Sequence, residues 1–304
     1  MYDLIVIGAG PAGLTAGLYA ARGRLDALLL ERLAPGGQVL TTDWVENYPG
    51  FPEGISGFEL MEKMKAQAEH FGLPIRMEEV IELELRPEKK VVITRKERLE
   101  AKALVLTLGA TPKKLGIEGE DLLIGKGVSY CATCDGPFYR DQEVAVIGGG
   151  DTALEEALFL TRFASRIHLT HRRDRLRAVK LLQDRATAEE KIEFIWDTVP
   201  VRILGESGVE GIELKNVKTG EISRKEVQGV FVFVGTQPNS DLINGMVKQD
   251  ESGFVITDEK METSIPGVFA AGDIRSKALR QVSTAVGDAA NAAFFAERFI
   301  ENIE

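Results

Sequence analysis

Cys131 and Cys134, in the run Cys131-Ala132-Thr133-Cys134, are the only cysteines of the 304-residue chain. Two sulfurs at this spacing can form and break one disulfide, passing an electron pair by thiolate attack. A single pair is no disulfide framework for a chain of this size. A four-ligand zinc site would need two further ligands, and His70, His168 and His171 are not spaced as a partner half-site. The pair therefore reads as a redox dithiol, against the alternative of two cysteines that merely share a turn. Asp135 follows directly, ahead of Gly136. Its carboxyl group could carry the proton that thiol chemistry moves at each turnover, or could cap the turn.

Two glycine-rich loops supply the next chemistry. Gly8-Ala9-Gly10-Pro11-Ala12-Gly13 follows the apolar run Leu4–Ile7 and opens a helix-period run through Leu14, Ala16 and Leu18. In that context the first glycine allows the tight turn, the second lets a pyrophosphate approach the backbone, and the third lets helix pack on strand. The helix N-terminus adds N–H donors and partial positive charge. Glu31 ends the next strand-like run, where an acid can accept hydrogen bonds from a ribose. A glycine turn kept for packing alone is the competing reading.

The second loop is Gly148-Gly149-Gly150-Asp151-Thr152-Ala153. At the offset that separates Glu31 from Gly8, this half of the chain carries His171, followed by Arg172, Arg173, Asp174, Arg175, Leu176 and Arg177. A carboxylate there would repel a 2′-phosphate, whereas guanidinium groups pair with it through forked hydrogen bonds. The first loop thus suits a ribose without a 2′-phosphate and the second suits NADPH, unless the arginines form only a solvated helix face. Two dinucleotide sites suggest hydride traffic between FAD and a nicotinamide, with the sulfur pair just upstream of the second loop as acceptor.

The elements that must position these groups form a diverged internal repeat. Each loop lies between a strand and a helix, and each helix leads to another strand, Ala27–Leu30 and Ile167–Thr170, giving two βαβ units. Short alternating strands near residues 79–104 and 192–234 predict a β meander in each half, with turns at Gly205, Gly208 and Gly220 in the second. Two apolar strands, Leu106–Leu108 and Phe231–Val234, close on Gly-x-x-Pro, at Gly109–Pro112 and Gly235–Pro238. The expected fold is α/β, with two Rossmann-like dinucleotide-binding domains, each a parallel sheet plus a meander, the second inserted in the first. Residues 1–112 and 245–304 are expected to form the FAD-binding domain, and residues 113–244 an NADPH-binding domain that carries the cysteine pair. The spacing of Phe58, Leu60, Met61, Met64, Ala68 and Phe71 predicts a helix with a core face, and Gln281–Ile303 reads as another helix.

Composition narrows the function classes. With 44 % apolar and 28 % charged residues the chain reads as globular. Lys and Arg number 37 against 47 Asp and Glu, a formal net charge of −10, which argues against a general nucleic-acid or anionic-membrane binder. No apolar run of about 18 residues could span a bilayer. The chain enters a strand at Asp3, leaving no room for a secretory signal, so a cytoplasmic location is expected.

Taken in order, these stretches resemble the low-molecular-weight, two-domain thioredoxin reductases from end to end. The matching runs are Gly8–Gly13, Gly36-Gly37-Gln38, Glu46-Asn47-Tyr48-Pro49-Gly50, Cys131–Gly136, Gly148–Ala153, His171-Arg172-Arg173, Ser264–Asp273 and Arg280-Gln281-Val282. The resemblance implies FAD on Gly8, Gly10, Pro11, Ala12, Gly13, Glu31, Arg32, Gly36, Gly37, Gln38, Asn47 and Gly109. It extends that site to Gly272, Asp273, Ile274, Arg280, Gln281 and Val282. It implies NADPH on Gly148, Gly150, Asp151, Thr152, His171, Arg172, Arg173 and Arg177. Cys134 would exchange electrons with the flavin, Cys131 would attack the disulfide of thioredoxin, and Asp135 would act as acid and base. The resemblance further implies a homodimer and an NADPH domain that rotates between two arrangements, one per half-reaction. Pro137 departs from the family, which often has a larger or aromatic residue there, so partner choice stays open towards a glutaredoxin-like or peroxiredoxin-linked protein. A non-catalytic or ferredoxin-linked flavoprotein would lack the arginines or the cysteine pair, and this sequence keeps both.

Overall fold

The computed structural model describes residues 1–42, 44, 45, 47–86 and 89–303; Glu46 of the Glu46–Gly50 run therefore lies outside the described residues. The chain forms two compact units, Met1–Thr111 with Gln237–Glu304, and Pro112–Thr236. Its described helices are α1 (Pro11–Arg22), α2 (Gly57–His70), α3 (Glu120–Leu123), α4 (Ala132–Asp135), α5 (Asp151–Leu160), α6 (Lys180–Ala188) and α7 (Val282–Ile303). None is long and apolar enough to cross a membrane.

The first unit is built on one sheet in the spatial order Ile75–Met77, Ala27–Glu31, Tyr2–Ile7, Arg98–Leu106, Lys90–Thr94, Val80–Leu85, with Val268–Ala270 also paired to Arg98–Leu106. The first four strands and Val268–Ala270 run parallel; the meander strands run antiparallel. Tyr2–Ile7 lies inside this sheet, with Val6 between Leu29 and Val105. Its side chains alternate between faces, so both faces must be apolar. Leu4 and Val6 pack with Leu14, Ala16, Ala289 and Ala293, while Ile5 and Ile7 pack with Leu83, Val92, Leu99 and Val255. Each such side chain, fully buried, contributes about 1.5–3 kcal/mol. Helices α1 and α7 meet through alanines, Ala12, Ala16 and Ala20 against Ala285, Ala289, Ala292 and Ala296, so their backbones approach closely.

Helix α2 departs in part from the expected core face. Leu60, Met61 and Ala68 are buried, but Phe58 and Phe71 are 63 % and 45 % exposed. Both lie at helix ends, away from the buried Leu60, Met61 and Ala68, and Phe71 stacks under the Arg22 guanidinium at 5.6 Å.

The second unit repeats the plan with one difference. Its parallel sheet has the order Ile192–Ile195, Arg166–Thr170, Glu143–Gly148, Gly229–Phe233, Val128–Ser129. Its meander, Thr198–Leu204, Gly211–Asn216 and Ile222–Lys225, forms a separate antiparallel sheet. Ile192–Ile195 therefore belongs to the nucleotide-type sheet rather than to the meander. The Gly-x-x-Pro repeat marks the two chain crossings. Gly109 (φ +70°) and Gly235 (φ +115°) both take the left-handed conformation that ends a strand and turns the chain. The segments that follow them, Ala110–Pro112 and Thr236–Pro238, pair as a two-stranded ribbon.

Candidate functional site

The first glycine loop is held by its own strand and helix. Gly8 (φ +101°) donates its N–H to Leu30 at 2.8 Å, and a Cβ there would lie 2.5 Å from the Thr107 carbonyl oxygen. A Cβ on Gly13 would collide with the Gly8 carbonyl oxygen. Gly10 is the N-cap of α1, Pro11 follows, and no side chain caps the helix. The leading amides of α1 thus point out of the loop without a side-chain acceptor, which is the arrangement that accepts an anionic pyrophosphate.

Other segments converge on this helix end. Glu31 accepts from Ala9 N at 2.7 Å through one oxygen and from Leu33 N at 2.9 Å through the other, bracing the loop from the neighbouring strand. Each oxygen keeps a further lone pair for a hydroxyl. Gly36 N donates to Ala9 O at 2.7 Å, and Gly37 lies against Gly10. Gly272 packs on Ala12 so closely that a Cβ would sit 2.9 Å from the alanine methyl. Asn47 Nδ2 donates to Gln281 Oε1 at 3.1 Å, bringing two distant runs together. Among the described residues Asp273 Oδ1 is buried without a hydrogen-bond partner, with Lys277 Nζ at 3.5 Å. Burial pushes this carboxyl above the usual aspartate range, against the pull of Lys277 and Arg280. An acceptor buried without a hydrogen-bond donor fits a hydroxyl-bearing ligand. Arg280 stacks on Phe254 at 3.9 Å, Arg32 is exposed, and Gly109 stands at the chain crossing beside Asn239. The residues present fit an FAD-sized dinucleotide.

Sequence spacing gave no signal for Asp288. From α7 its carboxylate reaches Gly272 N at 3.2 Å, Arg275 at 2.7 Å and Lys277 at 3.0 Å, and thereby holds the turn that carries Asp273. Both oxygens are committed and the three side chains are nearly buried.

In the second unit, Gly150 is the uncapped N-cap of α5, and open space lies where its Cβ would be. Gly148 packs on Ala153 and the Phe233 carbonyl. Asp151 turns back to accept from Val179 N at 2.7 Å. Thr152 is exposed. His171 is buried against Gly149, its Nε2 has no partner among the described residues, and burial lowers its pKa, reinforced by the Arg177 and Arg172 charges. It stands as a neutral support under the loop. Residues 171–179 are irregular rather than helical, so the arginines are not a helix face. Arg177 N donates to Gly149 O at 2.7 Å, drawing this segment to the glycine loop. Arg172, Arg173, Arg175 and Arg177 are exposed, and among the described residues none pairs with a carboxylate; Asp174 is paired with Lys218 instead. This cluster and the open helix end fit a phosphorylated dinucleotide.

The same unit carries the sulfurs. Cys131 and Cys134 are joined as a disulfide with Cα atoms 5.3 Å apart. Cys131 is the N-cap of the one-turn helix α4 and makes no cap hydrogen bond. Its N–H donates to Ser129 Oγ at 3.1 Å, and its Sγ lies 3.3 Å from Thr133 Oγ1. Asp135 closes the turn through its N–H to Cys131 O at 3.1 Å and is half-buried. The cap that Cys131 does not supply comes from Glu156 on α5, whose Oε2 accepts from Ala132 N at 2.8 Å and Thr133 N at 3.2 Å. Burial raises the Glu156 carboxyl above its ordinary value against these two bonds. His168 takes no part; it is buried between Glu143 at 2.8 Å and Glu193 at 3.0 Å. Among the described residues no cluster of His, Cys, Asp and Glu could hold a metal ion.

The sequence profile of the family described as "Pyridine nucleotide-disulphide oxidoreductase" matches residues 2–289. A thioredoxin reductase of Peptoclostridium litorale is 47 % identical over 100 % of this chain and 98 % of its own. One from Mycolicibacterium smegmatis is 48 % identical over 99 % and 97 %. The crystal structure of thioredoxin reductase from Streptococcus pyogenes superposes with a TM-score of 0.89 at 46 % identity, covering 99 % of each chain.

Proposed function

The chain belongs to the pyridine nucleotide-disulphide oxidoreductase family, and from that premise we propose that it is an NADPH-dependent thioredoxin-disulfide reductase. We assign FAD to the first unit and NADPH to the second. The observation that carries this reading is the Cys131–Cys134 disulfide, in the same unit as an open glycine loop and an arginine cluster without acidic partners among the described residues. Bound FAD supplies a two-electron relay between nicotinamide and sulfur. The chain's residues do the rest. The α1 end, Glu31 and Asp273 hold the flavin's phosphates and hydroxyls. The α5 end holds the nicotinamide nucleotide's pyrophosphate, and Arg172, Arg173 and Arg177 its 2′-phosphate. Cys134 is the sulfur that receives the electron pair. Cys131, at the mouth of the turn, attacks the disulfide of the partner protein, and Asp135 takes or returns the proton.

The named relatives favour thioredoxin as partner. A homodimer is the assembly that the resemblance to two-domain thioredoxin reductases implies. A lone cysteine pair kept for turnover favours the reducing cytoplasm. The test is NADPH oxidation with oxidised thioredoxin, glutaredoxin or peroxiredoxin as sole acceptor. Turnover with thioredoxin well above the others is expected; turnover with another acceptor alone would replace the partner.

A further inference from the structure

A reduced cysteine at the N-cap of a helix ordinarily gains from the helix's leading amides. They donate to the thiolate, lower its pKa and stabilise the dithiol against the disulfide. Cys131 occupies that N-cap position on α4. The first two of those amides are taken, because Ala132 N and Thr133 N both donate to one oxygen of Glu156. Glu156 reaches across from α5, more than a full turn beyond its glycine loop, and no other described side chain accepts from these two amides.

We infer that Glu156 is a positioning residue of the redox turn: it occupies the anion position at the head of α4, holds the turn in shape, and places a negative charge where a Cys131 thiolate would form, keeping the couple strongly reducing. The inference rests on the reading of Cys131–Cys134 as the working couple. The balance is NADPH plus disulfide giving NADP⁺, one thiol and one thiolate. The S–S bond breaks, the hydride's electron pair goes to the two sulfurs and its proton remains on one of them. Like charge beside the new thiolate raises its pKa and shifts the equilibrium toward disulfide. A couple shifted that way gives its electrons to a partner disulfide more readily. Burial, which holds Glu156 closer to its neutral form, acts in the same direction as the pH falls, so the charge effect fades in acid.

The variants separate charge from hydrogen bonding. Glu156→Gln keeps an acceptor for both amides and removes the charge. Glu156→Ala removes both. Glu156→Asp keeps the charge on a shorter arm. Glu155 on α5 and Asp135 at the end of α4 remain in place in all three. The flavin-loaded proteins are equilibrated in glutathione redox buffers, and the cysteine state is read by alkylation and mass. The pH profile of iodoacetamide alkylation is then measured on NADPH-reduced protein. Glu156→Gln is expected to shift the equilibrium toward dithiol about tenfold, equivalent to about 30 mV. Its alkylation midpoint should fall by about one pH unit. Glu156→Ala should shift both at least as far, and Glu156→Asp should return toward the wild type. If one variant does not accumulate as folded holoprotein, the other two carry the comparison. Profiles and equilibria superimposable on the wild type, or displaced toward disulfide, overturn the inference. A wild-type disulfide that NADPH does not reduce would instead overturn the parent reading of the couple.

Discussion

Replacing Arg172 and Arg173 together with alanine should convert a phosphate-selective nucleotide site into an indifferent one. Both side chains are exposed and neither is paired with a described carboxylate, so their removal breaks no internal ion pair. A charge-assisted hydrogen bond contributes about 1.5–3 kcal/mol when well formed, and solvent exposure screens it toward the low end. Together the two arginines should supply roughly 1.5–3 kcal/mol, a loss of about 10- to 150-fold in affinity. The assay is calorimetric titration with NADP⁺ and NAD⁺, which bind without turnover. NADP⁺ should weaken by that factor, and by less at high salt, while NAD⁺ should change by less than about twofold, since its ribose offers no 2′-phosphate to a guanidinium. An equal loss for both nucleotides, or none for either, would refute the assignment.

Further outcomes follow from the same geometry. Cys131→Ser or Cys134→Ser should abolish thioredoxin reduction while NADPH still bleaches the flavin; retention of full activity in either, by NADPH-oxidation assay, would remove the dithiol from the pathway. Asp288→Ala should leave Arg275 and Lys277 buried without their shared carboxylate, costing about 3–5 kcal/mol, and should lower both thermal stability and flavin retention. Asp273 has a folded-state pKa above its unfolded value, so any stability it contributes is present at low pH and lost as pH rises through the folded pKa. Asp273→Asn should therefore raise the melting temperature of the flavin-free protein at neutral pH and bring no gain near the unfolded aspartate pKa; a neutral-pH decrease would contradict the desolvation argument. Asp135→Asn should slow turnover and displace its pH profile, whereas an unchanged profile would leave Asp135 as a turn residue.

The parts of the fold that were legible in the sequence are those written at short range. Gly8 and Gly148 each stand where a largely apolar strand gives way to a helix, a pattern that needs no tertiary information, and the α/β architecture follows from it. The offset from each loop to Glu31 or His171 is likewise a local count. What stayed hidden depends on contacts between distant segments. Glu156 reaches the cysteine turn across 24 residues, and Asp288 reaches Gly272 across 16, both through a side chain on a helix face that periodicity marks only as polar. His171 is legible from its place beside the arginines, but the packing of its ring on Gly149 is a matter of tertiary fit. Ile192–Ile195 has the same alternating composition as the meander it precedes, and only its parallel pairing with Arg166–Thr170 assigns it to the other sheet.

The most direct measurement is an anaerobic titration of the flavin-loaded protein and its Cys131→Ser variant with NADPH, following flavin absorbance to completion. The account predicts that the wild type consumes one equivalent of NADPH more per flavin than the variant, the extra electron pair residing on Cys131 and Cys134. Equal consumption by the two proteins would mean that the sulfur pair is not in electronic contact with the nucleotides.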